Sequence, residues 1–280
     1  MFILEVKNIN TFSYLGWGIS HEKRGIPCQD YINHSYTENG NYIMALSDGA
    51  TSAKYAKEAA ETTVNAIINY FEDNKLEDFL LNNHEEQKNI IIAYILRRLI
   101  ALAKDVGCSN PREFSATMLF LVSNGKKIIT GHLGDGAIFL ANPDNEILFT
   151  SAPDNMNGIS NRTYFAVSAD AIDHFRIVQL DLDEINVSQA LMTSDGAYLM
   201  FYNRGNHDSS KTASELLSYA NSEIITTNED LRAVLQQMAE VASERLDDWS
   251  IIICNQKQKR GDYNVEPISM LSEELEKMHN

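Results

Sequence analysis

The chain has 280 residues, 44% of them apolar, with 39 acidic against 23 basic side chains and a formal net charge of −16. That length and apolar share suit one large globular core or two small ones. No basic run exceeds pairs such as Arg97-Arg98 or the short "KQKR" at 257–260, which argues against a nucleic-acid ligand, since phosphate backbones are bound through clustered Lys and Arg.

The N-terminal "MFILEVKNIN" lacks the charged region and long apolar stretch of a secretion signal. The most apolar stretch, "NIIIAYILRRLIALA" at 89–103, contains two arginines and is too short to span a bilayer. The expectation is a cytoplasmic protein with no membrane association. Cys28, Cys108 and Cys254 are odd in number and widely spaced, which suits reduced thiols, and no CxxC or HExxH zinc pattern occurs.

In chain order, runs rich in Ile, Val, Leu and Phe predict strands at 41–46, 116–123, 126–133, 136–141, 174–182, 190–194 and 249–254. Asn124-Gly125, between the second and third of these, is a strong hairpin signal, so much of the sheet should be antiparallel. Helical periodicity covers 53–71, with Ser52 as cap, and 86–105; later it covers 212–224 and 228–246, the last with Thr227 or Asn228 as cap. Strands and helices arrive in segregated groups, which predicts an α+β layered sandwich with helices covering the sheets. No linker or fixed-period repeat interrupts 1–254, so a single domain is expected there, followed by a polar tail, 255–280, whose last twelve residues suit either a short surface helix or a frayed end.

One tetrapeptide recurs: "SDGA" at 47–50 and 194–197, and "GDGA" at 134–137. Asp-Gly is a common turn, and that reading competes with any functional one. Each of these acids, however, ends a strand-like run, and Asp247-Asp248 immediately precede "WSIIIC". Strand ends hold side chains firmly while leaving them open to a ligand. Carboxylates that converge repel one another unless cations are present. Oxygen-only ligation selects hard ions, Mg²⁺ or Mn²⁺, over zinc, and two such ions about 3.5–4 Å apart can activate a shared water toward phosphorus.

The order of motifs narrows the choice. "GWGISHEKRGIPCQDY" (16–31), "IMALSDGATSAKYAKEAA" (43–60), "FSATMLFLVSNGKKIITGHLGDGAIFLA" (114–141), "ALMTSDGAYL" (190–199) and "LDDWSIIIC" (246–254) together resemble the metal-dependent serine/threonine protein phosphatases of the 2C type, in a bacterial branch. The resemblance implies a four-layer sandwich of two central antiparallel β-sheets flanked by α-helices. It implies hydrolysis of phosphoserine and phosphothreonine by water held between two metals, without a phosphoenzyme. It also implies a phosphoprotein substrate and a partner serine/threonine kinase.

Carried over by position, the resemblance gives Asp48 to both metals and the Gly49 carbonyl to the second. Asp195 and Asp247 go to the first metal, with Asp247 preferred to Asp248 because "DDWS" matches Asp, Asn, any residue, then Thr or Ser. Asp30 acts through metal-bound water, and Asp135 joins Asp195 around a third, weaker metal. Three departures stand out: Gln29 replaces a frequent Glu, Ala50 stands where animal enzymes have a His, and Gly25 falls at the position of a phosphate-binding Arg, leaving Arg24 as the substrate-binding candidate.

Other readings remain. Cys254 and Arg260 have the C-x5-R spacing of a cysteine phosphatase, although their loop lacks glycine. Cys28 is either a redox-sensitive thiol or a buried small side chain, and His21 and His132 are either ligands or hydrogen-bonded structural residues. Arg162 and Thr163 fit the branch pattern without a mechanism. A scaffold that binds a phosphoprotein or signalling partner without hydrolysis, or a phosphoesterase for small molecules, completes the alternatives.

Overall fold

The computed structural model describes residues 9–256 except 74, 155–162, 204–207, 223 and 242–246. In chain order the elements are β1 (Ile9–Gly16), α1 (Ile19–Arg24), β2 (Asp30–Tyr36), β3 (Tyr42–Asp48), α2 (Ala56–Glu72), α3 (Leu76–Leu80), α4 (His84–Asp105), a 3-10 turn (Pro111–Phe114), β4 (Met118–Ser123), β5 (Lys127–Leu133), β6 (Ala137–Ala141), β7 (Ile147–Ser151), α5 (Ala171–His174), β8 (Arg176–Asp181), β9 (Gln189–Thr193), α6 (Asp195–Phe201), β10 (Tyr202–Asn203), β11 (Asp208–Ser209), α7 (Lys211–Asn221), α8 (Asn228–Val241) and β12 (Trp249–Gln256).

Two five-stranded sheets, in the orders β1-β12-β9-β6-β7 and β2-β3-β4-β5-β8, are antiparallel throughout. The central strands are apolar on both faces because each face meets a different layer. In β3, Ile43 and Ala45 pack with α2 and α4, whereas Tyr42, Met44 and Leu46 join the core between the sheets. In β12, Ile252 and Cys254 face that inter-sheet core, and Ile251 and Ile253 pack under α6, α7 and α8. Helix, sheet, sheet and helix therefore make four layers around three apolar cores, as the resemblance implies.

Local chemistry sets most boundaries. Asn124-Gly125 turns β4 into β5, with Gly125 at φ 80° and Asn124 Oδ1 accepting from the Lys126 and Lys127 amides at 3.0 and 2.8 Å. Asn83 and Glu86 form a capping box that starts α4 at His84, two residues before the expected start. Thr227 caps α8, its Oγ1 accepting from Asp230 N at 3.1 Å; Asn228 instead ties the helix to β1 by accepting from Ser13 N at 2.9 Å.

Two expectations need correction. Ser52 is not the cap of α2, because the chain makes a further turn and the helix starts at Ala56 after Tyr55. Strands β1, β2 and β7 were not expected from apolar runs, and each is an edge strand with only one side packed. The final part of the helix expected at 228–246, and the surface helix expected at 269–280, lie outside the described residues.

Candidate functional site

At one end of the sandwich, a cavity of about 720 Å³ is lined by Asp48, Asp135, Asp195 and Asp247, with Ala50, Thr51, Ser52, Arg112, Thr117, Thr163 and Phe165. All three recurring tetrapeptides thus deliver an acid to one place. Asp48 ends β3, Asp135 sits between β5 and β6, Asp195 opens α6 directly after β9, and Asp247 lies just ahead of β12. Asp30 begins β2 directly opposite Asp48 in the ladder and is 3% exposed.

The glycines that follow these acids have a packing role. A Cβ on Gly49 would lie 2.3 Å from the Ala56 carbonyl oxygen, one on Gly136 2.5 Å from that of Thr193, and one on Gly196 2.0 Å from that of Asp248. The chain segments that carry the acids press together at these points, and the missing side chain permits the approach. None of the three glycines has positive φ, so close packing rather than a left-handed turn is what favours glycine at these positions.

The backbone around Asp48 is pinned by Thr117, which accepts from Asp48 N through Oγ1 at 2.9 Å and donates its own amide to the Asp48 carbonyl at 2.8 Å. Ser250 Oγ donates to Asp30 at 2.5 Å, while Ser250 N donates to Ser194 Oγ at 2.9 Å. Thr117, Ser194 and Ser250 were not singled out from sequence, although Ser194 opens the second "SDGA" and Ser250 ends "DDWS".

The acids are cut off from water by burial and repel one another. Burial, more than the neighbouring acids, pushes Asp30 up to about 7 and Asp135 up to about 8, and burial also raises Asp195 to about 6. Asp48 is raised well above the usual carboxylate range by burial first and then by Asp30, Asp195 and Asp135. Asp30 Oδ1 and Asp195 Oδ1 are buried without a hydrogen-bond partner among the described residues. Such atoms are costly unless something else satisfies them. An all-oxygen set with orphaned carboxylate atoms fits a hard divalent cation.

Asp247 and Asp248 differ sharply. Asp247 faces the cavity with its side chain 48% exposed, whereas Asp248 is 2% exposed and accepts from Gly18 N, Gln29 N and His21 Nδ1 at 2.8, 2.7 and 2.8 Å. His21, Asp247 and Asp248 offer atoms within 4.8 Å of one another, a possible ion-holding group, but the donors on Asp248 occupy its carboxylate. His21 is thus a buried hydrogen-bonded residue. So is His132, which contacts Ser151 Oγ at 2.8 Å and Arg176 at 3.0 Å, its charged form suppressed by burial and then by Arg176.

Arg24 is not among the cavity residues; its guanidinium turns back to Ser20, donating to the carbonyl at 2.9 Å and the hydroxyl at 3.4 Å. Gly25, which has φ 66°, ends α1. Gln29 keeps Oε1 buried and unpartnered among the described residues. Thr163 lines the cavity and donates to the Asp154 carbonyl at 2.8 Å, while Arg162 lies outside the described residues. Cys254 is inside β12 with its thiol pushed up to about 12 by burial, which removes the cysteine-phosphatase reading. Burial, then Asp30 and Asp248, pushes the Cys28 thiol to about 12 as well, so it is not a reactive thiolate.

Comparison with known proteins agrees with this architecture. The family model described as protein phosphatase 2C matches residues 17–236. Serine/threonine phosphatase Stp1 from Staphylococcus aureus superposes with a TM-score of 0.62 at 15% identity, covering 89% of this chain and 96% of its own. The Mycobacterium tuberculosis serine/threonine phosphatase PstP/Ppp gives 0.60 at 13% identity, covering 90% and 100%. RsbX in complex with magnesium gives 0.54 at 15% identity, covering 90% and 96%. No curated protein matches the sequence. Among the described residues, no helix is long and apolar enough to cross a membrane.

Proposed function

The chain belongs to the protein phosphatase 2C family, and on that premise we propose that it hydrolyses phosphoserine and phosphothreonine in proteins with the help of two divalent cations, Mg²⁺ or Mn²⁺. The observation that carries the reading is the convergence of Asp48, Asp135, Asp195 and Asp247 on one cavity, with Asp30 beside Asp48 and carboxylate oxygens left bare. Asp48 would serve both ions, assisted by the Gly49 carbonyl; Asp195 and Asp247 would hold the first, Asp30 would act through water, and Asp135 with Asp195 would take a third, weaker ion. When bound, the cations supply Lewis acidity and activate water for attack on phosphorus.

The chain's own contribution is placement. Thr117 fixes the backbone of Asp48, and Ser250 holds one oxygen of Asp30, so the carboxylates meet a ligand without rearranging. Ala50 supplies no proton to the leaving group from its place in the cavity wall. A phosphoprotein is the substrate class; a partner serine/threonine kinase and its targets are the natural candidates.

The test is hydrolysis of p-nitrophenyl phosphate and of a phosphothreonine peptide by the full chain with Mn²⁺, Mg²⁺ or EDTA. Metal-dependent turnover, abolished by EDTA, is expected on both. Calorimetric ion binding without turnover on either would identify a phosphoprotein-binding scaffold, and turnover confined to the small ester would identify a small-molecule phosphoesterase.

A further inference from the structure

The acid cavity contains one cationic side chain among the described residues, Arg112, which lies in none of the five sequence motifs. A phosphomonoester brings up to two negative charges into a site that already holds five carboxylates. Divalent ions offset those acids but leave little positive charge to grip the ligand. Enzymes that bind phosphate under such conditions use a guanidinium, whose planar fork can donate two parallel hydrogen bonds to phosphate oxygens. Position 25 cannot supply one, and Arg24 is committed to Ser20.

Arg112 has the opposite character. Its guanidinium makes no hydrogen bond or ion pair among the described residues, so it is available to a ligand. Its backbone, by contrast, is anchored. Arg112 N donates to Asn110 Oδ1 at 3.2 Å, and its carbonyl accepts from Ser115 Oγ at 2.9 Å. The turn that carries it is bound to the segment following Asp48: Ala50 N donates to the Ser115 carbonyl at 3.0 Å, Tyr55 N to the Glu113 carbonyl at 3.0 Å, and Lys54 N to Glu113 Oε2 at 2.8 Å. Phe114 stacks on Tyr55 with ring centroids 5.1 Å apart. The base of Arg112 is therefore fixed relative to Asp48, although 64 positions separate them in the chain. A flexible, exposed side chain on a rigid base at the wall of the acid cavity is an arrangement that suits a phosphate clamp.

We propose that Arg112 binds the phosphoryl group of the substrate, replacing the arginine that is missing at position 25. The inference rests on the phosphatase reading for the identity of the ligand as a phosphomonoester. It predicts that Arg112 acts on phosphate affinity rather than on ion affinity.

The experiment uses the full chain loaded with Mg²⁺, titrated calorimetrically with inorganic phosphate, beside steady-state kinetics on the phosphothreonine peptide. Arg112→Ala and Arg112→Gln should weaken phosphate binding and raise KM about 10- to 100-fold, the range of a lost charge-assisted hydrogen bond, with kcat changed much less and Mg²⁺ affinity retained. Arg112→Lys should recover part of the loss, and Arg98→Ala, outside the cavity lining, should leave phosphate binding unchanged. The proposal is overturned if phosphate affinity stays within twofold in Arg112→Ala and Arg112→Gln, if Arg24→Ala causes the loss instead, or if the wild-type chain binds no phosphate. A wild-type chain that binds phosphate through Arg112 but hydrolyses no phosphomonoester would defeat the phosphatase reading and leave the anchor standing. Turnover unaffected by Arg112 substitution would do the reverse.

Discussion

Asp248 and the acids of the cavity are neighbours with opposite surroundings. Asp248 has almost no contact with water, yet it accepts three hydrogen bonds from groups 219 to 230 positions away, joining the residues before β2 to the start of β12. Asp30 is equally buried but is met only by the hydroxyls of Ser250 and Ser194 among the described residues, and both it and Asp195 keep an oxygen bare. A buried carboxylate whose two oxygens both have fixed donors is a clamp, whereas one left with a bare oxygen costs stability until a cation or a proton satisfies it. Burial alone therefore does not tell a structural acid from a ligand; the oxygen left bare on Asp30 and Asp195, and not on Asp248, does.

The largest expected effects come from exchanging these roles. Asp48→Asn and Asp195→Asn should each cut phosphatase activity by more than the ~10- to 100-fold typical of a residue that merely orients a ligand. In EDTA both variants should be as stable as wild type or more so, because repulsion is relieved. Asp248→Ala should instead cost about 3–5 kcal/mol, with or without metal, because it strands two buried amides and the His21 ring. Urea unfolding in EDTA separates the two classes. Wild-type stability in Asp248→Ala, or collapse of Asp195→Asn, would reverse the assignment.

A smaller perturbation tests whether the clamp positions the ligands. Gly196→Ala places a Cβ about 2.0 Å from the Asp248 carbonyl and must force α6 away from the start of β12. The expected cost is about 1–3 kcal/mol, and Mg²⁺ affinity should fall with it, because Asp195 and Asp247 lie on the separated segments. Gly125→Ala, at the distant hairpin where φ is 80°, should cost about 1 kcal/mol and leave Mg²⁺ affinity unchanged. Equal loss of affinity in both variants, measured by calorimetry, would mean that affinity only reports overall stability.

The comparison also explains what was legible in the sequence. Central strands were visible because burial on both faces demands unbroken apolar runs, and the Asn124-Gly125 hairpin because its turn chemistry is local. Edge strands such as β2, "DYINHSY", carry polar residues on an unpacked side and lose that signal. Among the acids, strand-end placement pointed to Asp48, Asp135, Asp195 and the pair Asp247-Asp248, and only the family resemblance favoured Asp247; the donors that distinguish Asp248 come from residues 18, 21 and 29 and exist only after folding. Arg112 and Thr117 escaped for the same reason, since pairing across the Gly49–Ala116 bridge, rather than spacing, brings their segment to Asp48.

The mildest prediction concerns pH and needs no substitution. An unfolded Asp titrates near 3.9, whereas folding pushes Asp30 to about 7 and Asp135 to about 8, mainly through burial. The metal-free folded state therefore holds protons that the unfolded state has lost. The stability this contributes is fully present below the unfolded pKa and is lost as pH rises through the folded values. Buried His132, whose charged form is suppressed, opposes this trend below about pH 6.5, where unfolding would let it charge. The clean window thus lies between about pH 6.5 and 8.5, above the range in which His132 opposes the trend. In EDTA the thermal midpoint should fall across that window by a few degrees, at about 2–4 °C per kcal/mol for a domain of this size. With saturating Mg²⁺ the slope should flatten or change sign, because the cation binds the deprotonated acids and displaces their protons. A midpoint that falls equally with and without Mg²⁺ would show that the cavity carboxylates are not where the ion binds.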